Sequence, residues 1–252
     1  MDLIHDITIA NWIKANRGPT SPIPALYTGY CKIFHPVYED LSVADRTITW
    51  DQDAKKSLAL RGKDYSEGVP ELTLARGFPE PGFPRRRIPW RRLAERYGLE
   101  FHPEMDEWAF HRIFPRSWPR YLAGPTQGTL ERDSARRVVE VLRPFTRDQV
   151  CYFLFETVFE GSAVYEAALD EAPEIADPTD APRLTPKGAT LYWWPADRSW
   201  CVCTNRDLVY TFVGGPPTLI DAFLDDPILE CVPVDPLLSP RSGDDPGRGH
   251  QP

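Results

Sequence analysis

The chain has 252 residues, 42% hydrophobic and 26% charged, which is ordinary globular usage at a length that buries a full core without disulfides or a structural metal. Its net charge of −8 argues against a nucleic-acid partner, since such binding rests on Lys and Arg neutralising phosphates, and no stretch approaches the ~20 apolar residues that span a membrane. The 27 prolines exclude long uninterrupted helices, and five scattered cysteines with no signal-peptide pattern over residues 1–18 predict reduced thiols in a cytoplasmic protein.

Residues 25–37 alternate, with Leu26, Thr28, Tyr30, Lys32 and Phe34 on one side and Tyr27, Cys31 and Ile33 on the other. This predicts a strand that Pro36 ends. Residues 39–88 are rich in Gly and Pro, with only a short helical suggestion at 53–60, and read as a long irregular insertion. Trp90, Leu93, Ala94 and Tyr97 fall at i, i+3, i+4 and i+7, a helix entered through Pro89 and closed by Gly98. A second short helix is predicted at 106–114, and Gly124, Pro125 and Gly128 mark a loop.

The clearest helix covers 129–142, with Leu130, Val138, Val139 and Leu142 on one face. Its acids lie near the N-terminus and its arginines toward the C-terminus, as the helix dipole favours, and Pro144 is expected to stop it. Residues 150–159 are almost continuously apolar and predict a strand buried on both faces. An Ala-, Pro- and acid-rich connection follows at 160–186. Three short strands at 189–194, 199–204 and 207–213 form an antiparallel meander, then come a helix at 217–224 and a last strand at 229–234. The expected fold is α+β: a mixed, mainly antiparallel sheet of about five to six strands with the helices that start at Thr129 and Pro217 packed on one face. A single domain is expected over 1–236, and a disordered tail over 237–252.

The run 191–215 (LYWWPADRSWCVCTNRDLVYTFVGG), followed by a Leu-Ile-rich helix and LECVPVDP at 229–236, resembles a widespread family of uncharacterised bacterial proteins from GC-rich genomes. The pattern also fits Tyr30 through His35 and Pro36, Trp90-Arg91-x-Leu93, His102-Pro-Glu-Met, the Gly-Thr-Leu helix leading to Pro-Phe-Thr, and Val150-Cys-Tyr-Phe. The resemblance implies one fold over most of residues 26–236. The family carries no established activity, so the resemblance implies no site residue. Asn205 and Arg206 stand where its pattern has an acidic and an apolar residue.

Trp193, Trp194, Asp197, Arg198, Trp200 and Asp207 form the densest constellation. Tryptophan beside Arg and Asp can grip a ligand by stacking and charged hydrogen bonds, which makes Trp193, Trp194, Arg198, Trp200 and Asp207 candidate ligand-binding residues. The packing reading of the same letters is a hairpin with one Trp in the core, another over the sheet edge, and Asp197 and Arg198 shaping the turn. Cys201 and Cys203 share a strand face and, with no second pair of soft ligands nearby, read as buried thiols.

His102, Glu104, Asp106, Glu107 and His111 are the one His-carboxylate cluster, able in principle to serve acid–base or metal chemistry. Pro103 separates His102 from the helix of His111, and an acidic helix N-terminus accounts for the same residues. Gly214 and Gly215 read as a tight turn, because Pro216 and Pro217 offer a phosphate no N–H. No nucleotide, metal or triad motif is intact, so no catalytic residue, metal site or cofactor is expected.

Charge is segregated. Residues 85–96 hold Arg85, Arg86, Arg87, Arg91, Arg92 and Arg96 against Glu95, a local +5, while residues 156–180 hold eight carboxylates, Glu156 and Asp180 among them, and no Lys or Arg. Both stretches read as solvated surfaces, and one of them is expected to dock a protein of opposite charge. The overall excess of 23 arginines over six lysines reads as GC-rich coding rather than as a guanidinium site. The function expected is non-catalytic recognition, adaptor- or immunity-like. The alternatives are a small-molecule binder using the tryptophan hairpin and an enzyme using His102 or His111 with nearby carboxylates, with or without a metal.

Overall fold

The computed structural model describes residues 1–18, 21–60, 84–110, 112–114, 117–157, 161–176 and 189–235. In chain order the elements are β1 (Asp2–Ile4), α1 (Asn11–Asn16), β2 (Gly29–Phe34), β3 (Val37–Asp40), α2 (Trp50–Leu60), β4 (Arg85–Ile88), α3 (Trp90–Arg96) and β5 (Leu122–Ala123). Then follow α4 (Arg132–Thr146), β6 (Cys151–Glu156), β7 (Ala163–Ala167), α5 (Ala172–Ala176), β8 (Thr190–Pro195), β9 (Cys201–Thr204), β10 (Tyr210–Gly215), α6 (Pro217–Leu224) and β11 (Cys231–Pro233). The chain is α+β. Among the described residues no helix is long and apolar enough to cross a membrane. The expected tail at 237–252 lies outside the described residues.

Two compact units are present: unit 1 from Met1–Ile33 and Gly128–Pro252, and unit 2 from Phe34–Gln127. Unit 1 is built on an eight-stranded sheet in the order β1-β7-β6-β8-β9-β10-β2-β11. Every pair whose register is defined is antiparallel. The sheet is larger than expected because two strands join it: β1, and β7 from within the Ala- and acid-rich connection. β7 has Val164 and Ala167 buried and Ala163, Tyr165 and Glu166 half-buried, which suits a strand lying toward the rim next to the short β1.

On one side of the sheet a single buried cluster joins Ala135, Val138, Val139 and Leu142 of α4 with Ile175 of α5 and Leu219, Ile220 and Phe223 of α6. The sheet supplies Cys31, Ile33, Phe153, Phe155, Trp193, Val202 and Val213 to it, with Trp200 from the turn before β9. Alternation sends Leu154, Tyr192, Trp194 and Cys203 to the other side. There the N-terminal segment covers them. Trp12 meets Trp194 edge-on at 5.7 Å, and the carbonyl of Pro22 accepts from the Tyr192 hydroxyl (2.9 Å) and the Cys203 thiol (3.3 Å).

Pro144 does not stop α4, which runs on to Thr146. In the last turn a proline forfeits one N–H bond, and the helix ends instead at Arg147, with φ 55°. The Thr146 hydroxyl donates back to the Leu142 carbonyl at 2.9 Å, one turn earlier. Gly214 and Gly215 are the final residues of β10 and not a turn. A Cβ on Gly214 would stand 2.6 Å from the Tyr27 ring, so glycine here permits the close approach of the N-terminal segment.

Unit 2 contains a three-stranded sheet, β4-β3-β5. The stretch expected as irregular, 39–88, holds α2 and β4, and its residues 61–83 lie outside the described residues. Phe34, Trp90, Phe110 and Trp118 form an aromatic chain with ring separations of 5.0, 5.9 and 5.4 Å. α3 starts after Pro89 and closes through the Leu99 N–H on the Ala94 carbonyl (2.9 Å), with Gly98 at φ 68°. The Trp90 indole donates to the His35 carbonyl at 2.8 Å, and His35 Nδ1 donates to the Thr126 carbonyl at 2.5 Å. Burial drives the pKa of His35 down to about 4, outweighing that hydrogen bond.

Candidate functional site

β3 begins after Pro36 and alternates, so Glu39 shares a face with Val37 while Tyr38 and Asp40 take the other. The register sets Glu39 opposite Arg86 of β4 and Leu122 of β5. Its carboxylate is 1% exposed. Arg86 donates to it through Nε (2.9 Å) and Nη2, Arg96 of α3 donates through Nη1 (2.6 Å), and Arg46 Nη1 lies 3.7 Å away. Burial on its own raises the pKa of Glu39, but the Arg86 and Arg96 guanidiniums outweigh it and leave the group below its ordinary value.

Two tyrosines complete the cluster. The hydroxyls of Tyr97 and Tyr121 share a 2.6 Å hydrogen bond, Arg96 hydrogen-bonds Tyr121, and Arg46 lies over the Tyr121 ring at 4.9 Å. Burial first, and the Tyr121 hydroxyl second, push the Tyr97 pKa up, so this phenol stays neutral. The side chains of Arg46, Arg86 and Arg96 are 51, 64 and 36% exposed. One carboxylate against three guanidiniums leaves a local charge of +2. A guanidinium carries five N–H donors, and Glu39 takes two from Arg86, one from Arg96 and none from Arg46, which leaves donors over for an acceptor in solution.

The other face of the same sheet is also rich in arginine. Arg85 lies over the Tyr38 ring at 4.6 Å. Arg120 bonds Asp40 at 3.1 Å and Asp53 at 3.0 Å, with its guanidinium 4.1 Å from the Trp50 ring centre. On α3, Arg91 lies over Phe101 and Arg92 pairs with Glu95. Among the described residues Arg87 has no ion-pair partner. Part of the arginine excess that reads as coding bias therefore forms a guanidinium cluster.

Sequence reasoning singles out the 85–96 arginines but misses Glu39, Arg46, Tyr97 and Tyr121. The signal available is an acid inside an alternating aromatic strand, Val37 to Asp40, with a run of arginines later in the chain. Nothing local announces that the two pair.

The tryptophan hairpin is assembled as a packed structure. Trp193 is buried among the α4 and α6 residues, Trp194 is buried between Trp12 and Tyr152, and Trp200 is buried with its N–H on the Thr146 hydroxyl at 3.1 Å. All three rings are at most 1% exposed, so they line no open cleft. Asp197 accepts from the Ser199 N–H (2.9 Å) and from Gln149 (2.8 Å), which fixes the turn, and Arg198 adopts φ 58° with its guanidinium 5.4 Å from the Trp12 ring centre. Asp207 is exposed and 3.4 Å from Arg206 in the next turn. The thiols of Cys201 and Cys203 are fully buried, and burial pushes Cys203 up to about 12.

His102 and Glu104 are exposed, 3.8 Å apart, and the Asp106 carboxylate accepts from the Trp108 N–H at 2.9 Å as a turn cap. His111 lies outside the described residues, and with it the two-histidine arrangement. Among the described residues no group of three or more His, Cys, Asp or Glu side chains is placed to hold a metal. In the acidic stretch, Glu156 pairs with Arg17 (3.1 Å), Asp170 with Arg143 (2.7 Å), Glu171 with the Met1 amino group (3.1 Å) and Glu174 with Arg132 (3.6 Å). Residues 158–160 and 177–180 of that stretch are outside the described residues. Compared with known protein families, curated proteins and solved structures, the chain matches none.

Proposed function

We propose that this is a cytoplasmic, non-catalytic recognition protein of the adaptor or immunity kind, whose unit 2 docks an acidic segment of a partner protein. The observation that carries the reading is Glu39, a buried carboxylate that holds three part-exposed arginines in position and leaves them a surplus of positive charge. Arginines fixed in advance lose little side-chain entropy on meeting a carboxylate, and their planar forks bind it through paired N–H···O bonds. Arg85, Arg87 and Arg92 extend the charge along β4 and α3. A short acidic segment suits this surface better than nucleic acid does. The net charge of −8 repels a long polyanion, whereas a short segment meets only the local field, within a Debye length of ~10 Å at moderate salt.

Fluorescence anisotropy with a labelled glutamate-rich peptide tests the reading, with a single-stranded oligonucleotide of equal charge as the control. Saturable peptide binding is expected, weakened at least ~10-fold by the paired changes Arg87→Glu and Arg92→Glu and weakened further by salt. Absence of peptide binding, or equal preference for the oligonucleotide, overturns it.

A further inference from the structure

β11, the last strand of the large sheet, pairs with β2 in a register that sets Cys231 opposite Ile33 and Pro233 opposite Cys31. The Val234 N–H donates to the Tyr30 carbonyl at 3.1 Å. Hydrogen-bonded positions therefore alternate from Tyr30–Val234, and both cysteines fall at the non-hydrogen-bonded positions, where facing strands approach most closely. Cys31 lies in the cluster beneath the helices and Cys231 packs against that cluster, so both side chains are on the same side of the sheet. They are diagonal neighbours, and the Cys231 thiol is the hydrogen-bonding neighbour of Cys31. Cys31 is buried, while Cys231, at the rim, is half-buried.

We propose that Cys31 and Cys231 are a site of reversible oxidative modification, closed by peroxide into a disulfide that ties β11 to β2. The half-buried Cys231 sulfur attacks one oxygen of hydrogen peroxide. The O–O bond breaks, and the displaced hydroxide leaves as water with the thiol proton. Cys231 is then a sulfenic acid. The Cys31 sulfur attacks the Cys231 sulfur, the S–O bond breaks, and a second water leaves with the Cys31 proton. Two thiols are oxidised and one peroxide is reduced to two waters; a dithiol reductant reverses the change by thiol–disulfide exchange.

The geometry assigns a consequence to closure. Diagonal residues on paired strands have Cα atoms ~7–8 Å apart, and a disulfide wants at most ~6.8 Å. Closing the bond therefore draws β11 inward, and a three-residue strand paired on one side only is the element free to move. A groove of about 520 Å³ borders it, lined in part by Gly29, Tyr30, Ile220, Leu224, Pro233 and Val234, and takes its shape from where β11 lies. Cys201 and Cys203 lack this access, being fully buried neighbours along one strand.

The test is titration of the full chain with hydrogen peroxide, followed by alkylation, intact mass and peptide mapping. Expected is the loss of two of the five thiols, a linked Cys31–Cys231 peptide within one chain, and recovery of both thiols with dithiothreitol. Cys231→Ser should abolish the link and leave Cys31 reduced. Cys31→Ala should leave Cys231 as a sulfenic acid that dimedone traps, so the two variants check the order of steps separately. Direct oxidation of Cys231 to sulfinic acid with Cys31 free, or a link between two chains or to another cysteine, overturns the proposal.

Discussion

Glu39 and Arg86 face each other directly across β3 and β4, and Arg86 gives two N–H groups to a single oxygen of the buried carboxylate. Arg96 takes the other oxygen from α3, so one side chain fastens a strand and a helix that flank it. The proposed recognition surface and local stability thus share one residue.

Glu39→Gln removes the charge and keeps the shape. Arg46, Arg86 and Arg96 would then repel one another around a neutral amide. The expected cost is about 2–3 kcal/mol, toward the low end for breaking a buried ion pair because the arginines are part-exposed. Urea denaturation measures it, and Arg86→Ala alone should cost less.

His35 makes unit 2 sensitive to acid. Its pKa is about 4 in the folded protein against 6.5 for a free imidazole, so the unfolded chain takes up the proton first. The stability this contributes is fully present above pH 6.5 and is lost as the pH falls toward 4, about 3 kcal/mol in all. Denaturation midpoints compared at pH 7 and 4.5 should show the loss, and His35→Asn, which keeps a donor for the Thr126 carbonyl, should flatten the slope. A slope unchanged in that variant would assign the effect to the carboxylates instead.

Trp194→Ala and Trp200→Ala each empty a fully buried ring site and should destabilise the protein by ~3–5 kcal/mol. A thermal melt reads this directly. If either variant melts like the parent, the ring is not part of the core.

Gly214→Ala introduces a methyl group 2.6 Å from the Tyr27 ring and 2.8 Å from that of Tyr30. The N-terminal segment must give way, at ~1–3 kcal/mol, and limited proteolysis should cut within residues 21–28 sooner than in the parent. Protection identical to the parent's would mean the rings move aside freely.

Much of the large sheet was legible in the sequence because its strands are aromatic and β-branched and its turns are short. β2, β6, β9 and β11 fall within predicted strands, β8 and β10 overrun theirs by one and two residues, and α3, α4 and α6 follow their apolar spacing. β7 and α5 were not legible, since alanine and glutamate carry no strand signal and short elements give no period. β4 was hidden by three consecutive arginines, which carry no strand signal, and only the register that sets Arg86 opposite Glu39 shows their pairing. The cluster around Glu39 was unreadable for the same reason: its partners lie 47 and 57 residues along the chain, and only the sheet register brings them together.

The covering of the second sheet face by Trp12, Arg17 and Pro22 fixes an order of events in folding. Arg17 and Tyr192, which hydrogen-bond at 2.6 Å, are 175 residues apart, and β2 finds its place only between β10 and β11. Arg17 and the segment around it therefore have no surface to settle on until β8, β9 and β10 have paired. Unit 1 is expected to fold slowly for its size, because its sheet closes only through contacts that are distant in sequence.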